Sequence, residues 1–97
     1  MTEIGTRFRP GRLLCTAGVN GRMCQDVTFR RFAHECLVRH LLGDWGDLTA
    51  EDRYANDRAL VEGTRLLSAY AEEGFQKIWI ITEADRSSTT ILFPSEY

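Results

Sequence analysis

The stretch KIWIITEADRSSTTILFPSEY, residues 77–97, is the most informative part of this chain. Its two apolar runs, residues 77–82 and 89–93, are rich in β-branched and aromatic side chains and are typical of strands. The insert between them, residues 83–88, is short and polar, which predicts a β-hairpin with two carboxylates and a guanidinium near its tip. Both faces of the first run are apolar, so we expect it to lie inside a sheet or to have one face covered by a partner.

Two helices are predicted upstream of this hairpin. Apolar side chains recur at helical spacing over residues 28–42, and Gly43 then ends the pattern with basic residues in the last turn. Thr49 precedes acidic residues, which predicts the N-cap of a second helix that runs to Gly63.

The remaining segments complete an α+β fold. Residues 12–16 and 65–70 predict two further strands, and residues 17–23 predict a break with one helical turn. The predicted order is β-α-α-β-β-β, a small antiparallel sheet of about four strands with the helices packed on one face. We expect one domain over residues 1–97, with residues 1–11 as a flexible arm.

Composition is that of an ordinary globular chain, with 97 residues, 43% hydrophobic and 27% charged. No apolar run approaches the roughly 20 residues that a membrane span requires, and the first residues lack a secretory signal. A cytoplasmic protein without a membrane partner is therefore predicted. Cys15, Cys24 and Cys36 form neither a disulfide framework nor a zinc motif, and we expect no cofactor or metal.

The net charge of −2 conceals an asymmetry between the two halves. Residues 1–40 carry seven Arg against three acids, a net of +4, whereas residues 41–97 carry five basic and eleven acidic side chains, a net of −6. The basic half is one alternative site, for nucleic acid, although the absence of interleaved aromatic residues favours a solvated face. Six of the seven arginines form the candidate set: Arg7, Arg9, Arg12, Arg30, Arg31 and Arg39.

The acidic side chains suggest a second alternative, a hydrolase or nuclease that depends on a divalent metal. Converging carboxylates bind Mg²⁺ or Mn²⁺ and support phosphodiester cleavage, but the spacing here matches no metal-binding loop, and turn and cap roles are favoured. The group comprises Asp44, Asp47, Glu51, Asp52 and Asp57, with Glu83 and Asp85; the hydrolase hypothesis uses Asp44, Asp47, Glu83 and Asp85.

A third candidate is the pair Cys36 and His40, four residues apart on one helical face. Such a pair can act as nucleophile and base or bind a metal, but its place in the apolar stripe favours burial. No complete catalytic set is present, so the chain is predicted not to be an enzyme.

Several motifs resemble a family of small proteins encoded on bacterial plasmids, integrative elements and prophages, some of them labelled plasmid-related or type I restriction subunits. The motifs are AGVN at residues 17–20, RHxxGDWGDL at 39–48, RLLSAY at 65–70 and WIITEADRSSTTILFPSEY at 79–97. The resemblance implies an accessory protein of a mobile genetic element that binds a macromolecular partner and inhibits host defence, of the anti-CRISPR or antirestriction type. It implies no catalytic residue.

The predicted binding surface joins residues 43–48, the GDWGDL loop, to the tip of the hairpin. Arg86 is expected to pair there with Asp44, Asp47 or Glu83. A sheet with two apolar faces and only two helices also favours a homodimer. The hypothetical surface consists of Asp44, Trp45, Asp47, Asp85 and Arg86.

Overall fold

Four strands and three helices make up residues 5–97, the part of the chain that the computed structural model describes. Residues 1–4 of the predicted arm lie outside this range. The strands are β1 (Arg12–Cys15), β2 (Leu66–Tyr70), β3 (Ile78–Thr82) and β4 (Ser88–Leu92). The helices are α1 (Ala17–Gln25), α2 (Val27–Leu41) and α3 (Ala50–Glu62), and a 3₁₀ turn follows at Pro94–Glu96.

The strands form one mixed sheet in the order β1-β4-β3-β2. β3 is antiparallel to both of its neighbours, which confirms the predicted hairpin, and the α+β class is confirmed as well. The prediction of an antiparallel sheet is wrong at β1, which runs parallel to β4 with Leu13 opposite Thr89. All three helices and two strands separate β1 from β4 in sequence, and such a long connection permits parallel pairing.

Helix α1 replaces the single turn that was predicted after β1. Gly18 and Gly21 make its sequence a poor helix former, so tertiary contacts must stabilise it. The Thr16 hydroxyl accepts a hydrogen bond from the amide of Val19, and the Val19 side chain is fully buried. The Glu96 carboxylate, from the far end of the chain, accepts a hydrogen bond from the Gly18 amide at 3.0 Å.

Both predicted helices are confirmed, and local caps define their ends. Asp26 accepts hydrogen bonds from the first amides of α2, and Gly43 follows the helix in the left-handed region at φ 85°. Thr49 caps α3 through the amide of Asp52, and Gly63 ends it at φ 74°.

The main core lies between the helices and one face of the sheet, where Phe29 and Phe32 of α2 pack against Ile78 and Ile80. The alternation predicted for β3 is therefore confirmed on this face. Trp79 lies on the other face, where the ring of Tyr97 meets it edge to face at 5.7 Å between centroids.

Candidate functional site

The GDWGDL loop closes the outer edge of β2. The amide of Ala69 donates to the carbonyl of Trp45 at 3.2 Å, and the amide of Asp47 donates to the carbonyl of Ala69 at 2.7 Å. These bonds form a parallel bridge between Gly46 and Ala69. The loop therefore takes the place of a further strand at this end of the sheet.

Side chains satisfy the remaining groups of the same edge. The Asn56 amide donates to the carbonyl of Leu67 at 2.6 Å and accepts from its N–H at 3.2 Å. The Asp47 carboxylate accepts from the amide of Ala71 at 2.8 Å. Backbone groups of β2 that could pair with another chain are thus occupied within the fold.

Gly46 is needed for this closure. Its φ of 75° lies in the left-handed region, and a Cβ there would stand 2.0 Å from the carbonyl oxygen of Ala69. The Arg53 guanidinium also donates to the carbonyl of Gly46 at 3.1 Å. A side chain at position 46 would push the loop away from the strand.

Trp45 does not lie on the surface where the predicted binding site placed it. Its side chain is 4% exposed, packs with Ala59 and Leu66, and donates from Nε1 to Asp57 at 2.9 Å. The loop turns the ring inward because its backbone follows the edge of β2. Asp44, beside it, remains exposed.

Asp44 pairs with Arg39 rather than with Arg86. Its two carboxylate oxygens accept from the Arg39 guanidinium at 2.7 and 3.2 Å. The Arg39 hydrogen bond holds the pKa of Asp44 below its usual range, and the Gly46 amide lowers it further.

The tip of the β3–β4 hairpin docks on the end of α3. Arg86 adopts φ 60°, uncommon for a residue with a side chain. Its guanidinium donates to backbone carbonyls of Thr64 at 2.6 Å and Ala59 at 3.1 Å. These contacts explain why a long cation occupies a position that glycine would suit better.

The predicted pairing of Arg86 with a carboxylate is therefore wrong; it contacts Glu83 only through the backbone carbonyl, at 3.1 Å. Asp85 accepts from the amide of Ser87 at 2.9 Å in the same turn, and hydrogen bonds from Ser87 lower its pKa. The ring of Phe8 lies between Arg86 and Trp45, 5.9 Å from the Arg86 guanidinium carbon and 6.4 Å from the Trp45 ring. The two parts of the predicted surface meet through Phe8, and whether they bind a partner stays a prediction.

A buried chain of hydrogen bonds crosses the sheet beneath Phe8. His40 Nδ1 lies 2.5 Å from Ser68 Oγ and Nε2 lies 2.9 Å from Thr82 Oγ1. Thr82 Oγ1 lies 2.7 Å from Thr89 Oγ1, which donates to the carbonyl of Pro10 at 2.7 Å. Both ring nitrogens of His40 are therefore occupied.

The direction of this chain follows from counting protons. The carbonyl of Pro10 can only accept, so the hydroxyl of Thr89 donates its one proton to that carbonyl. The Thr89 oxygen must therefore accept from the hydroxyl of Thr82. Thr82 must then accept from Nε2–H of His40. Burial, with Arg86 as a lesser cause, lowers the pKa of His40 to about 4, so the ring is neutral near pH 7. Its one proton is on Nε2, and Nδ1 therefore accepts from the hydroxyl of Ser68.

Cys36 and His40 do not form the thiolate–imidazole pair considered above. Cys36 is 1% exposed, and burial raises the pKa of its thiol to about 12. A thiol that stays protonated is a poor nucleophile, and the imidazole is engaged elsewhere. The favoured interpretation, in which both side chains are buried, is confirmed.

The acidic residues of the hydrolase hypothesis do not gather at one point. Over residues 5–97, no three His, Cys, Asp or Glu side chains lie close enough together to hold a metal ion. Asp85 instead accepts from the amide of Ser87 within its own turn, the kind of role that the sequence favoured, whereas Asp47 accepts from the distant amide of Ala71 at the β2 edge.

β1 forms the opposite edge of the sheet, and within residues 5–97 no strand pairs with its outer side, so we call this edge open. The amides of Arg12 and Thr16 donate to the carbonyls of Ser87 and Ile91, on the side of β4, so the even-numbered residues turn their backbone groups inward. Leu13 and Cys15 consequently turn theirs outward, where no strand of residues 5–97 lies. All four residues of β1 are exposed, Leu13 to 56% and Leu14 to 40%.

An apolar groove lies one strand inward from this edge. Its volume is about 420 Å³, and Met23, Leu37 and Ile91 provide its apolar wall. Ile91 is opposite Cys15 in the sheet, so Leu13 and Cys15 point to the same side as the groove. Charged and polar side chains form its rim: Arg30, Arg31, His34 and Glu35.

Sequence reasoning did not identify this edge as a candidate site. Two adjacent leucines in a four-residue strand were a possible signal, but they are equally typical of a buried strand. Only the position of β1 in the sheet distinguishes an exposed edge strand from a buried strand here.

None of the helices within residues 5–97 combines the length and the apolar character needed to cross a membrane. Comparison with known proteins yields no match to a family, to a curated protein or to a solved structure. The resemblance to proteins of mobile elements stays a prediction.

Proposed function

We propose that this protein acts by binding a protein partner and has no catalytic activity of its own. The observation that carries the proposal is the open edge of β1, with exposed Leu13 and Leu14 and an apolar groove beside it. Exposed apolar side chains next to unpaired backbone groups are costly in a monomer and are typical of interaction sites.

The polar groups elsewhere support a structural role. Asp44 is engaged in an ion pair with Arg39, and Asp47 and Arg86 are engaged in backbone contacts, which leaves the predicted surface with little chemistry for a substrate. In the cell, the partner we propose is a component of bacterial defence, with the protein acting in the cytoplasm as an accessory factor of a plasmid or prophage. This part of the proposal comes from the resemblance of the motifs.

The test is affinity purification from the bacterium that carries the chain, followed by reconstitution of each captured partner with purified protein. A second measurement is plasmid transformation of that host with and without the protein. We expect a stoichiometric complex and higher transformation when a restriction or CRISPR system is active. Absence of any reconstituted complex together with unchanged transformation would contradict the proposal.

A further inference from the structure

We propose that the β1 edge receives an extended, acidic segment of the partner as an additional strand of the sheet. This inference rests on the proposed function and specifies how the partner is bound. Leu13 and Cys15 each present an outward N–H and an outward C=O, the alternating pattern that an incoming strand requires.

The side chains around this edge define the apolar part of the segment. Leu13 is 56% exposed and points to the same side of the sheet as the groove between α2 and β4. An added strand would cover Leu13, and its own apolar side chains on that face would pack toward Leu37 and Ile91. Alternate residues of the segment are therefore apolar.

The charges define the polar part. Arg12 lies on β1 next to Leu13, so its side chain is on the face of the sheet away from the groove. Arg30 and Arg31 line the groove itself, with Glu35 and Glu72 as acidic neighbours of Arg31. Across residues 5–97, ion pairs engage Arg22, Arg39 and Arg58 but not these three arginines. The residues of an added strand that point away from the groove would meet Arg12, so we expect Glu or Asp at those positions. The positive charge of all three arginines would attract such a segment over a longer range.

A second copy of this chain fits the edge less well. Two β1 strands related by a two-fold axis would bring both sets of Arg12, Arg30 and Arg31 together, which is unfavourable. The acidic side of a second copy is the β2 edge, and Asn56 and the loop at Gly46 already occupy its backbone groups. Charge thus disfavours pairing of β1 with the β1 of a second copy, and the closed edge of β2 prevents pairing of β1 with the β2 of a second copy.

Nucleic acid is the other class that a basic surface could bind. Phosphate oxygens accept hydrogen bonds from arginine, but they offer no N–H groups to the outward carbonyls of Leu13 and Cys15. Nor does a phosphate backbone use an apolar groove of this kind. A peptide strand uses all of these features.

The test uses a synthetic peptide of alternating Glu and Val residues, labelled for fluorescence anisotropy. We expect it to bind, to bind less tightly as salt rises, and to bind at least about tenfold more tightly than a Lys and Val peptide of equal length. N-methylation of alternate residues, which removes the donors on one edge, should weaken binding by about tenfold or more. These comparisons use the unmodified protein and so do not depend on the folding of a variant.

Leu13→Glu places a like charge at the edge and should weaken binding of the Glu and Val peptide by at least about tenfold. Val61→Glu is the matched control, because Val61 is 88% exposed on α3, beside the closed edge, and this variant should bind as the wild type does. Arg12→Glu provides a second variant at the edge with the same expectation as Leu13→Glu.

The inference is overturned by several results. These are equal binding of the Glu and Lys peptides, no effect of N-methylation, tighter binding of oligo(dT) than of the acidic peptide, or a wild-type dimer that Leu13→Glu dissociates. A reconstituted partner that binds Leu13→Glu and wild type equally would also overturn it while the proposed function stands. Binding of the peptide without any reconstituted partner would instead contradict the proposed function.

Discussion

The two edges of the sheet differ in how their backbone groups are satisfied. At β2, the side chain of Asn56 bonds both backbone groups of Leu67, and the loop around Gly46 bonds both backbone groups of Ala69 and the amide of Ala71. At β1, Leu13 and Cys15 turn their backbone groups to a side where residues 5–97 provide no strand. A single fold thus contains a protected edge and an accessible one.

This contrast shows which residues of the chain serve to protect an edge of the sheet. The GDWGDL loop is explained almost completely by closure of β2, including the positive φ of Gly46 and the buried ring of Trp45. Unprotected edges promote aggregation, so proteins commonly protect them. An edge left open beside a groove with arginines on its rim is best understood as a place for a partner.

The first test of the difference between the two edges is amide hydrogen exchange measured by NMR. The amides of Leu67 and Ala69 should exchange more slowly than that of Leu13, by a factor on the order of a thousand. Leu14 is an internal control, because it lies in the same short strand but turns its amide toward β4. Equal protection of Leu13 and Leu14 would mean that the β1 edge is covered.

The second is to force the closed edge open with Gly46→Ala. The added Cβ would meet the carbonyl oxygen of Ala69, and the backbone would be strained at φ 75°, so we expect a loss of about 3 kcal/mol or more of unfolding free energy. Gly74→Ala is the matched control, since Gly74 has φ 89° with open space around it and should lose about 1 kcal/mol. Urea denaturation measures both, and similar losses would show that the loop does not need close approach.

The third concerns the hydrogen-bonded chain that ties β2, β3 and β4 together between the two edges. Folding lowers the pKa of His40 from 6.5 to about 4, so the unfolded chain binds the proton first as the pH falls. Stability should be complete above pH 6.5 and should decrease toward pH 4, by up to about 3 kcal/mol at about 1.4 kcal/mol per pKa unit.

Urea denaturation across that pH range tests this prediction in two variants. His40→Gln cannot titrate and should lose the pH dependence, although its stability will be lower throughout. His34→Gln removes an exposed histidine and should keep the dependence. A slope that disappears with His34 and persists without His40 would refute the assignment.

The fourth and smallest effect is expected for Asn56→Leu. This change removes both side-chain hydrogen bonds to Leu67 and should cost about 2 kcal/mol, because the strand groups lose their partners. It should also cause concentration-dependent association, seen by light scattering, since it opens part of the β2 edge. Asn20→Leu, at an exposed position on α1, should do neither.

The sequence was sufficient to predict those features of the structure that depend on contacts between residues close together in the chain. Asp26, Thr49 and Gly63 mark helix ends through contacts within three or four residues, and α2 and α3 were predicted to within two residues at each end. Helix α1 was underestimated because Gly18 and Gly21 lower its propensity, whereas Glu96, distant in sequence, stabilises its first turn.

The candidate site was less predictable because its contacts also join residues that are distant in the sequence. Whether Trp45 is buried and whether Arg86 meets carboxylates or carbonyls depend on α3, which approaches both only after folding. An aromatic residue between glycines and an arginine in a polar turn are compatible with either outcome.

Local sequence patterns are enough to predict the class of fold, the strands of the hairpin and the ends of two helices, because propensity, alternation and capping act over a few residues. The tertiary structure alone decided that β1 is parallel to β4 and lies at an open edge, that β2 is closed, and that His40 is held neutral between Ser68 and Thr82. These features join residues far apart in the chain. Their free energy depends on which surfaces are buried together, and no local pattern encodes that.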